Sequence, residues 1–491
     1  MFGAERLSYL ELEQRANRLA RGLIGRGAAR GIKVALLARN CDAFVIAHFA
    51  LAKSGAALVP VNYLLSEREL ASVLDHCDAR IVLFSAEYAD RIDSIRARLS
   101  KVEHFVVLGG KAPCWATPID VLTGNEIADA PEVEVSEDDD YLVMYTSGTT
   151  GNPKGVVLTH RARVHQAIQC IVDHHIDGDQ VILLPVPLFH TGGLNTCLVP
   201  ALFAGATVVL FEKFDVAEVL RAIERERVTF LFTVPGPVVD MVESPELHKV
   251  DLGSLSWLMY GGAPMPQEML RRISARLPGV RFIQGYGATE ASQLMVLDWR
   301  DHERKAGVTG RVSAFAEIRL ADEGGRDVKI GEPGEILARG PIVMKEYYRD
   351  PEATAEALCQ GWLHTGDIGS MDSEGFITIV DRKKDMIISG GENIYPREIE
   401  EVLYTHPAVQ DAAVFGVPDQ RWGENVCAAI VRKPGSSLTE GEVIEYCRRN
   451  VAPYKKPKLV EFLDSLPRTP IGKIAKQALR DRYWRATGRK I

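Results

Sequence analysis

The sequence predicts an α/β fold in two parts: a large multi-layer α/β domain, then a smaller α+β domain. Three observations predict it. Short apolar runs alternate with stretches of helical periodicity, the pattern of strands buried on both faces of a parallel sheet. A compact charged stretch, Asp381-Arg382-Lys383-Lys384-Asp385, separates this region from a tail of different texture. The length, 491 residues, exceeds what a single hydrophobic core holds.

Taken in order, residues 33–38 (KVALLA) read as a strand, 43–54 as a helix closed by Gly55, and 57–61 as a second strand. The runs 80–84 (RIVLF), 104–108 (HFVVL), 206–211 (ATVVLF) and 229–233 repeat the pattern. Residues 141–144 are a further apolar run that leads into a glycine-rich loop. Beyond the charged stretch, 386–388 read as a strand. Pro396 then opens a helix, because proline suits a first helical turn where its missing N–H costs no hydrogen bond. Residues 412–417 and 426–431 read as strands and 440–449 as a helix. The expected domains are 1–381 and 385–491, with the junction at 382–384.

Composition narrows the function classes. A net charge of −8 argues against a nucleic-acid binder, which relies on excess Lys and Arg. No run of about 18 apolar residues exists to span a membrane, and no charged-then-apolar leader opens the chain. A cytoplasmic protein is expected, with peripheral membrane contact left open. The eight cysteines are scattered singly, which suggests buried thiols in a reducing compartment. His174-His175, beside Asp173 and Asp177, is the nearest thing to a metal cluster, and it reads as a solvated polar loop.

The segment Tyr145-Thr146-Ser147-Gly148-Thr149-Thr150-Gly151-Asn152-Pro153-Lys154-Gly155 is the most informative. Its glycines allow close backbone approach, and its hydroxyls and lysine suit a phosphate chain. It is not a Walker A loop, since glycine rather than Ser or Thr follows the lysine. Four more segments follow: Gly261-Gly262-Ala263-Pro264, Gly285-Tyr286-Gly287-Ala288-Thr289-Glu290, His364-Thr365-Gly366-Asp367, and Pro470-Ile471-Gly472-Lys473. Taken singly, each has an ordinary reading. The loop is just a loop, Tyr286 is core, Thr-Gly-Asp is a turn, and Arg382 and Lys473 are solvated surface charges.

In this order, over nearly the whole chain, these segments resemble the adenylate-forming superfamily. That group includes acyl-CoA synthetases, adenylation domains of peptide synthetases and beetle luciferases. The likeness is most nearly to bacterial fatty-acid and medium-chain acyl-CoA ligases. It implies an α/β N-terminal domain with a small mobile α+β C-terminal domain. It also implies that Thr146, Ser147, Gly148, Thr149, Thr150 and Lys154 hold ATP phosphates. Gly262, Ala263, Pro264, Gly285, Tyr286 and Gly287 would enclose the adenine, and Thr289 would lie near the phosphates. Glu290, with Thr146, would hold magnesium. Asp367 would accept the ribose hydroxyls, and Arg382 would also contact the nucleotide. Lys384 would be the hinge, and Lys473 would enter the site for adenylation. His190 would lie near the carboxylate or gate the acyl tunnel, with Phe189, Val234, Pro235 and Met295 lining an apolar pocket. Gly390, Gly391 and Glu392 would line a thiol channel, with Trp422, Tyr454 and Lys456 at coenzyme A.

The resemblance therefore implies an AMP-forming carboxylate–CoA ligase. It would use ATP, Mg2+ and coenzyme A on a fatty or other apolar acid, as a monomer or homodimer. Loading of a carrier protein, luciferase-like oxygenation and a silent ATP-binding scaffold are the alternatives. Asp251-Leu252-Gly253-Ser254-Leu255 superficially resembles a carrier serine motif, but it sits inside the adenylation body. Only six residues precede the segment beginning at Leu7, fewer than relatives usually carry, so the start is expected to be shortened.

Overall fold

The computed structural model describes residues 1–124, 126–146, 153–263, 265–383, 385–389, 392–469 and 473–484. Each strand and helix read from the sequence forms. Strand Lys33–Leu37 is buried along its whole length between Ala57–Pro60 and Ala79–Phe84, both parallel to it. Cover on both faces is why it reads as an unbroken apolar run. Truncating a residue as enclosed as Leu36 to Ala would cost about 2–5 kcal/mol. This first sheet has eight strands. It turns antiparallel at one edge, where Asp140–Thr146 pairs with Lys154–Thr159.

The second sheet positions much of the site. Val181–Leu184, Phe230–Thr233, Trp257–Gly261 and Arg281–Ala288 run parallel side by side. Thr233 pairs with Tyr260, and Tyr260 with Gln284. The carboxyl ends thus open along one edge, where ligands bind in open α/β sheets. His190, Val234 and Gly262 follow three of these ends, beside Tyr286 of the fourth strand. The last strand then returns as an antiparallel hairpin to Ser292–Leu297.

Residues 317–382 depart from the expected α/β pattern. They contribute an antiparallel five-stranded sheet that includes Glu317–Ala321, Pro333–Arg339, Trp362–Met371 and Ile377–Arg382. Several of these strands interrupt buried residues with half-buried or exposed ones, so they present no continuous apolar run. Thr365-Gly366-Asp367, a turn when read alone, lies inside strand Trp362–Met371. Pairing slips there between Ile368 and Gly369, and Gly366 takes φ +71°, a conformation that strains any side chain.

The fourth sheet is built on the long pair Val409–Asp419 and Gly423–Arg432, joined by Leu459–Phe462 and Ile387–Ser389. With helices Pro396–Tyr404, Glu440–Asn450 and Lys476–Trp484 it forms the α+β unit expected. This unit docks on the large body. The Arg397 N–H donates to Asp381 Oδ2 at 3.0 Å, and its guanidinium donates to the Ile379 carbonyl at 2.9 Å. Lys476 pairs with Glu400 at 2.7 Å behind this contact. No helix among the described residues is long and apolar enough to cross a membrane. The cysteines are all free, but Cys114 and Cys359 are exposed, contrary to the uniform burial expected.

Candidate active site

Asp367 and Arg382 are cross-strand partners in the third sheet, and Arg382 Nε lies 3.3 Å from Asp367 Oδ1. From the second sheet, the Tyr286 hydroxyl donates to Asp367 Oδ2 at 2.5 Å. Burial and the Asp367 charge push the Tyr286 phenol well above its ordinary range, so it stays a donor. The Thr365 hydroxyl accepts from the Asp367 N–H at 3.1 Å and fixes the turn of the chain there. A carboxylate accepts about four hydrogen bonds. Asp367 therefore keeps capacity for a vicinal diol after binding Tyr286 and Arg382.

Thr146 and Lys154 face each other across the antiparallel strand pair. Lys154 Nζ stands 4.9 Å from the centre of the Tyr347 ring, and the Tyr347 hydroxyl donates to Glu290 Oε1 at 2.8 Å. Lys154, Tyr347 and Glu290 thus form one chain. Glu290 is also held through its backbone, whose carbonyl accepts from Met344 N at 2.6 Å. Thr289 and Glu290 sit at the tip of the hairpin, and Gly287 makes its close approach possible. A Cβ on Gly287 would fall 1.5 Å from the Ser292 carbonyl oxygen. Among the described residues no group of three or more His, Cys, Asp or Glu is placed to hold a metal ion. One carboxylate and a hydroxyl are nonetheless the donor set suited to magnesium, which takes few protein ligands and completes its shell on substrate phosphates.

The third cluster brings the small unit into the site. Gly262, at φ +76°, has Val234 Cγ1 and Lys473 Cε flanking the position of a Cβ, at 3.8 and 3.9 Å. His190 is close to the same lysine. Burial, and then the Lys473 charge, lower its pKa to about 4. A neutral imidazole, its buried Nε2 without a hydrogen-bond partner among the described residues, therefore stands near the Lys473 ammonium. After His190 the chain enters a π-helix, Gly192–Leu198, a rare geometry that recurs at functional sites. Phe189 and Met295 are buried, and a Cβ on Gly192 would lie 3.3 Å from Phe232 Cζ. Apolar side chains and bare glycine backbone thus adjoin the imidazole. Together the clusters offer hydrogen-bond acceptors for a sugar, a cation and hydroxyls for phosphates, and a lysine near apolar side chains.

Ser147, Gly148, Thr149, Thr150, Pro264, Lys384, Gly390 and Gly391 lie outside the described residues. Ala263 follows Gly262, and Gly285 pairs with Gly261. The residues expected at coenzyme A are not brought to the other clusters. Glu392 and Trp422 share one end of the small unit's sheet, since Ser389 pairs with both Glu392 and Gly423. Trp422 and Tyr454 are exposed, Lys456 is half-buried, and Lys458 Nζ stands 5.3 Å from the Trp422 ring. Among the described residues, Glu392, Trp422, Tyr454 and Lys456 make no hydrogen bond or ion pair with the site described above.

Two expectations change. His174 is not solvated: it is 1% exposed and bonded to Gln293 Oε1 at 2.7 Å, and burial lowers it to about 4. His175 pairs with Asp298 at 2.6 Å, so the polar pair is structural packing rather than a loop surface. Sequence reasoning also missed Tyr347, which lies in a short edge strand with no motif around it to mark it.

Comparison with known proteins agrees with this geometry. Residues 1–348 match the family described as AMP-binding enzyme, and 398–473 match the AMP-binding enzyme C-terminal domain. The chain is 41% identical over 483 residues to a feruloyl-CoA synthase of an Amycolatopsis species, covering 98% of this chain and 95% of that one. It is 38% identical over 484 residues to FadD13, a long-chain-fatty-acid–CoA ligase of Mycobacterium tuberculosis, covering 97% and 93%. Among solved structures, ATP-bound MatB from Rhodopseudomonas palustris superposes with a TM-score of 0.91 at 30% identity, covering 98% of this chain and 95% of that one. Its apo form superposes less well, with a TM-score of 0.81.

Proposed function

The chain belongs to the AMP-binding enzyme family and is an AMP-forming acyl-CoA synthetase, and on that premise we propose that it activates an apolar carboxylic acid, fatty or aromatic. The observation that carries the reading is the placement of Lys473, delivered by the small unit between Gly262 and His190. A carboxylate is already a nucleophile, and the obstacle to its attack on ATP is the meeting of two anions. Lys473 would neutralise the substrate carboxylate and the α-phosphate as they converge. Lys154 and Thr146 would bind the phosphate chain, and Asp367 would bind the ribose. Glu290 and Thr146 would hold a magnesium ion, which neutralises phosphate charge when bound. The attack forms the acyl–phosphate bond and releases pyrophosphate. The thiolate of coenzyme A then displaces AMP from the acyl carbon.

For the second step we propose that the small unit rotates about Lys384, at the junction 382–384 between domains 1–381 and 385–491. Lys473 would leave, and the surface bearing Glu392, Trp422, Tyr454 and Lys456 would arrive, with Gly390 and Gly391 proposed to line the thiol channel. The better likeness to ATP-bound than to apo MatB supports a pose suited to the first step. The apolar acid is supported by Phe189, Val234, Met295 and the Gly192 wall beside His190. A feruloyl-CoA synthase and a fatty-acid ligase among the relatives are consistent with either an aryl or an alkyl chain.

The test is AMP formation with Mg-ATP over acids from acetate to long fatty acids, with benzoate and ferulate added, each with and without coenzyme A. AMP release that depends on one apolar acid and rises with coenzyme A is expected. Preference for acetate would overturn the apolar pocket, and AMP release indifferent to coenzyme A would overturn the thiol step.

A further inference from the structure

Helix His160–Asp173 is built inside out. Its Val164 and Val172 are exposed, while Arg163, Gln166 and Gln169 are buried. The buried polar face grips strand Ser292–Leu297. Gln169 Nε2 donates to the Gln293 carbonyl at 2.9 Å, and Gln293 N donates to Gln166 Oε1 at 3.4 Å. The Gln293 side chain is held in turn by His174 at 2.7 Å and Asp173 at 2.9 Å. A slip of that strand would leave all of these groups buried and unpaired, so the contacts fix its register.

Arg163 heads this face at 4% exposure. Its Nη1 donates to Ser292 Oγ at 2.5 Å, and its Nη2 donates to the Ile342 carbonyl at 3.3 Å. Both partners flank Glu290. Ser292 closes the hairpin that carries Glu290, in a left-handed conformation with φ +52° that a non-glycine residue adopts only when held. Ile342 leads to Met344, whose N–H binds the Glu290 carbonyl at 2.6 Å. On the other side, Ser292 Oγ lies 3.5 Å from Thr191 Oγ1, next to His190. Among the described residues no carboxylate pairs with Arg163, and burial lowers it to about 10. Such a charge is kept for its forked hydrogen-bond geometry rather than for an ion pair.

We propose that Arg163 is a positioning residue for the adenylation step, holding the Glu290 hairpin in register with the segment that carries His190. This rests on the roles assigned to Glu290 and His190 under the proposed function. The guanidinium reaches one hydroxyl and one backbone carbonyl that bracket Glu290 and, through Ser292 Oγ, Thr191 next to His190. It aligns the phosphate side of the site with the acyl side without touching substrate.

The test uses Arg163→Met, which keeps length but loses both donors, and Ser292→Ala, which removes one acceptor and leaves the guanidinium. Acyl-AMP formation is measured in a single turnover per active site. Thioester formation from supplied acyl-AMP and the affinity for Mg-ATP by calorimetry are measured on the same preparations. Both variants are expected to lose about tenfold or more in the adenylation rate, as small misplacements of reacting groups do. Thioester formation should stay within about twofold of the wild type, and Mg-ATP affinity should fall in the same order as the rate. A lowered melting temperature with an unchanged per-site adenylation rate would overturn the proposal, as would equal loss in both half-reactions. If Arg163→Met does not fold, Ser292→Ala decides alone. Failure of the wild-type enzyme to form acyl-AMP from any acid would instead sink the reading of the site itself.

Discussion

The Tyr286 hydroxyl reaches from the second sheet to the Asp367 carboxylate of the third, at 2.5 Å. This contact adds a side-chain tie between two sheets that also meet at the Gly310–Ile377 bridge. It holds the carboxylate aimed, with Arg382 on its other oxygen, before any nucleotide is present. A preset acceptor loses less entropy when a ligand binds.

Asp367→Ala is expected to weaken ATP binding. Two hydrogen bonds to a charged acceptor are worth about 1.5–3 kcal/mol each, so the loss should be roughly a hundredfold or more in affinity. Tyr286→Phe leaves the carboxylate in place and should change affinity only a few-fold. Titration of both variants with ATP checks this, and an unchanged affinity in Asp367→Ala would sink the ribose role.

How much of this was legible beforehand follows from the physics of each part. Fully buried parallel strands such as Lys33–Leu37 announce themselves as apolar runs, and the nucleotide segments announce themselves as strings. The third sheet did not, because its strands interrupt buried residues with half-buried or exposed ones, and Asp367 sits one residue before a bulge, in a segment that local sequence reads as a turn. Tyr347 and Arg163 gave no signal at all. Each matters through a partner remote in sequence, Glu290 for one and Ser292 for the other, and a single chain read alone cannot show such pairings.

Acid should destabilise the protein through its buried histidines. Burial lowers His48, His174 and His190 each to about 4. The unfolded chain titrates near 6.5, so between these values it binds protons that the folded chain refuses. Their stabilising effect is complete above pH 6.5 and is lost as the pH falls toward 4. One such group is worth on the order of 3 kcal/mol at full effect. Asp173, raised by burial, acts oppositely beside His174, so His48 is the cleaner probe. It bonds the Tyr141 hydroxyl at 2.6 Å, a contact glutamine can keep. In His48→Gln the fall of the urea midpoint between pH 6.5 and 4.5 should be shallower than in the wild type, and an identical slope would refute the assignment.

Gly192 is expected to set how bulky an acid is accepted. A Cβ there already crowds Phe232 Cζ at 3.3 Å, so a larger side chain would push Phe232 aside or turn toward the acyl recess proposed beside His190. Gly192→Leu should lower kcat/KM for the preferred apolar acid by about tenfold or more, in keeping with pocket effects of a few methylenes. Activity on acetate should fall less, and the KM for ATP should stay put. Uniform loss across all acids would show that the residue serves the π-helix and not the recess.

Lys473 gives the sharpest division between the two half-reactions. Its Cε lies 3.9 Å from the position of a Cβ on Gly262, on the body of the protein, yet the residue belongs to the small unit. It can therefore act only while that unit is docked in the present pose. Under the proposed function its charge would be needed when a carboxylate attacks an α-phosphate and would not be needed when a thiol attacks an acyl carbon. Loss of one such preset charge costs about a hundredfold to a thousandfold in rate. Lys473→Ala should lose acyl-AMP formation on that scale and retain thioester formation from supplied acyl-AMP and coenzyme A. Pyrophosphate exchange reads the first half-reaction and thioester absorbance the second. If both fall together, Lys473 is holding the two units in place rather than neutralising the attack.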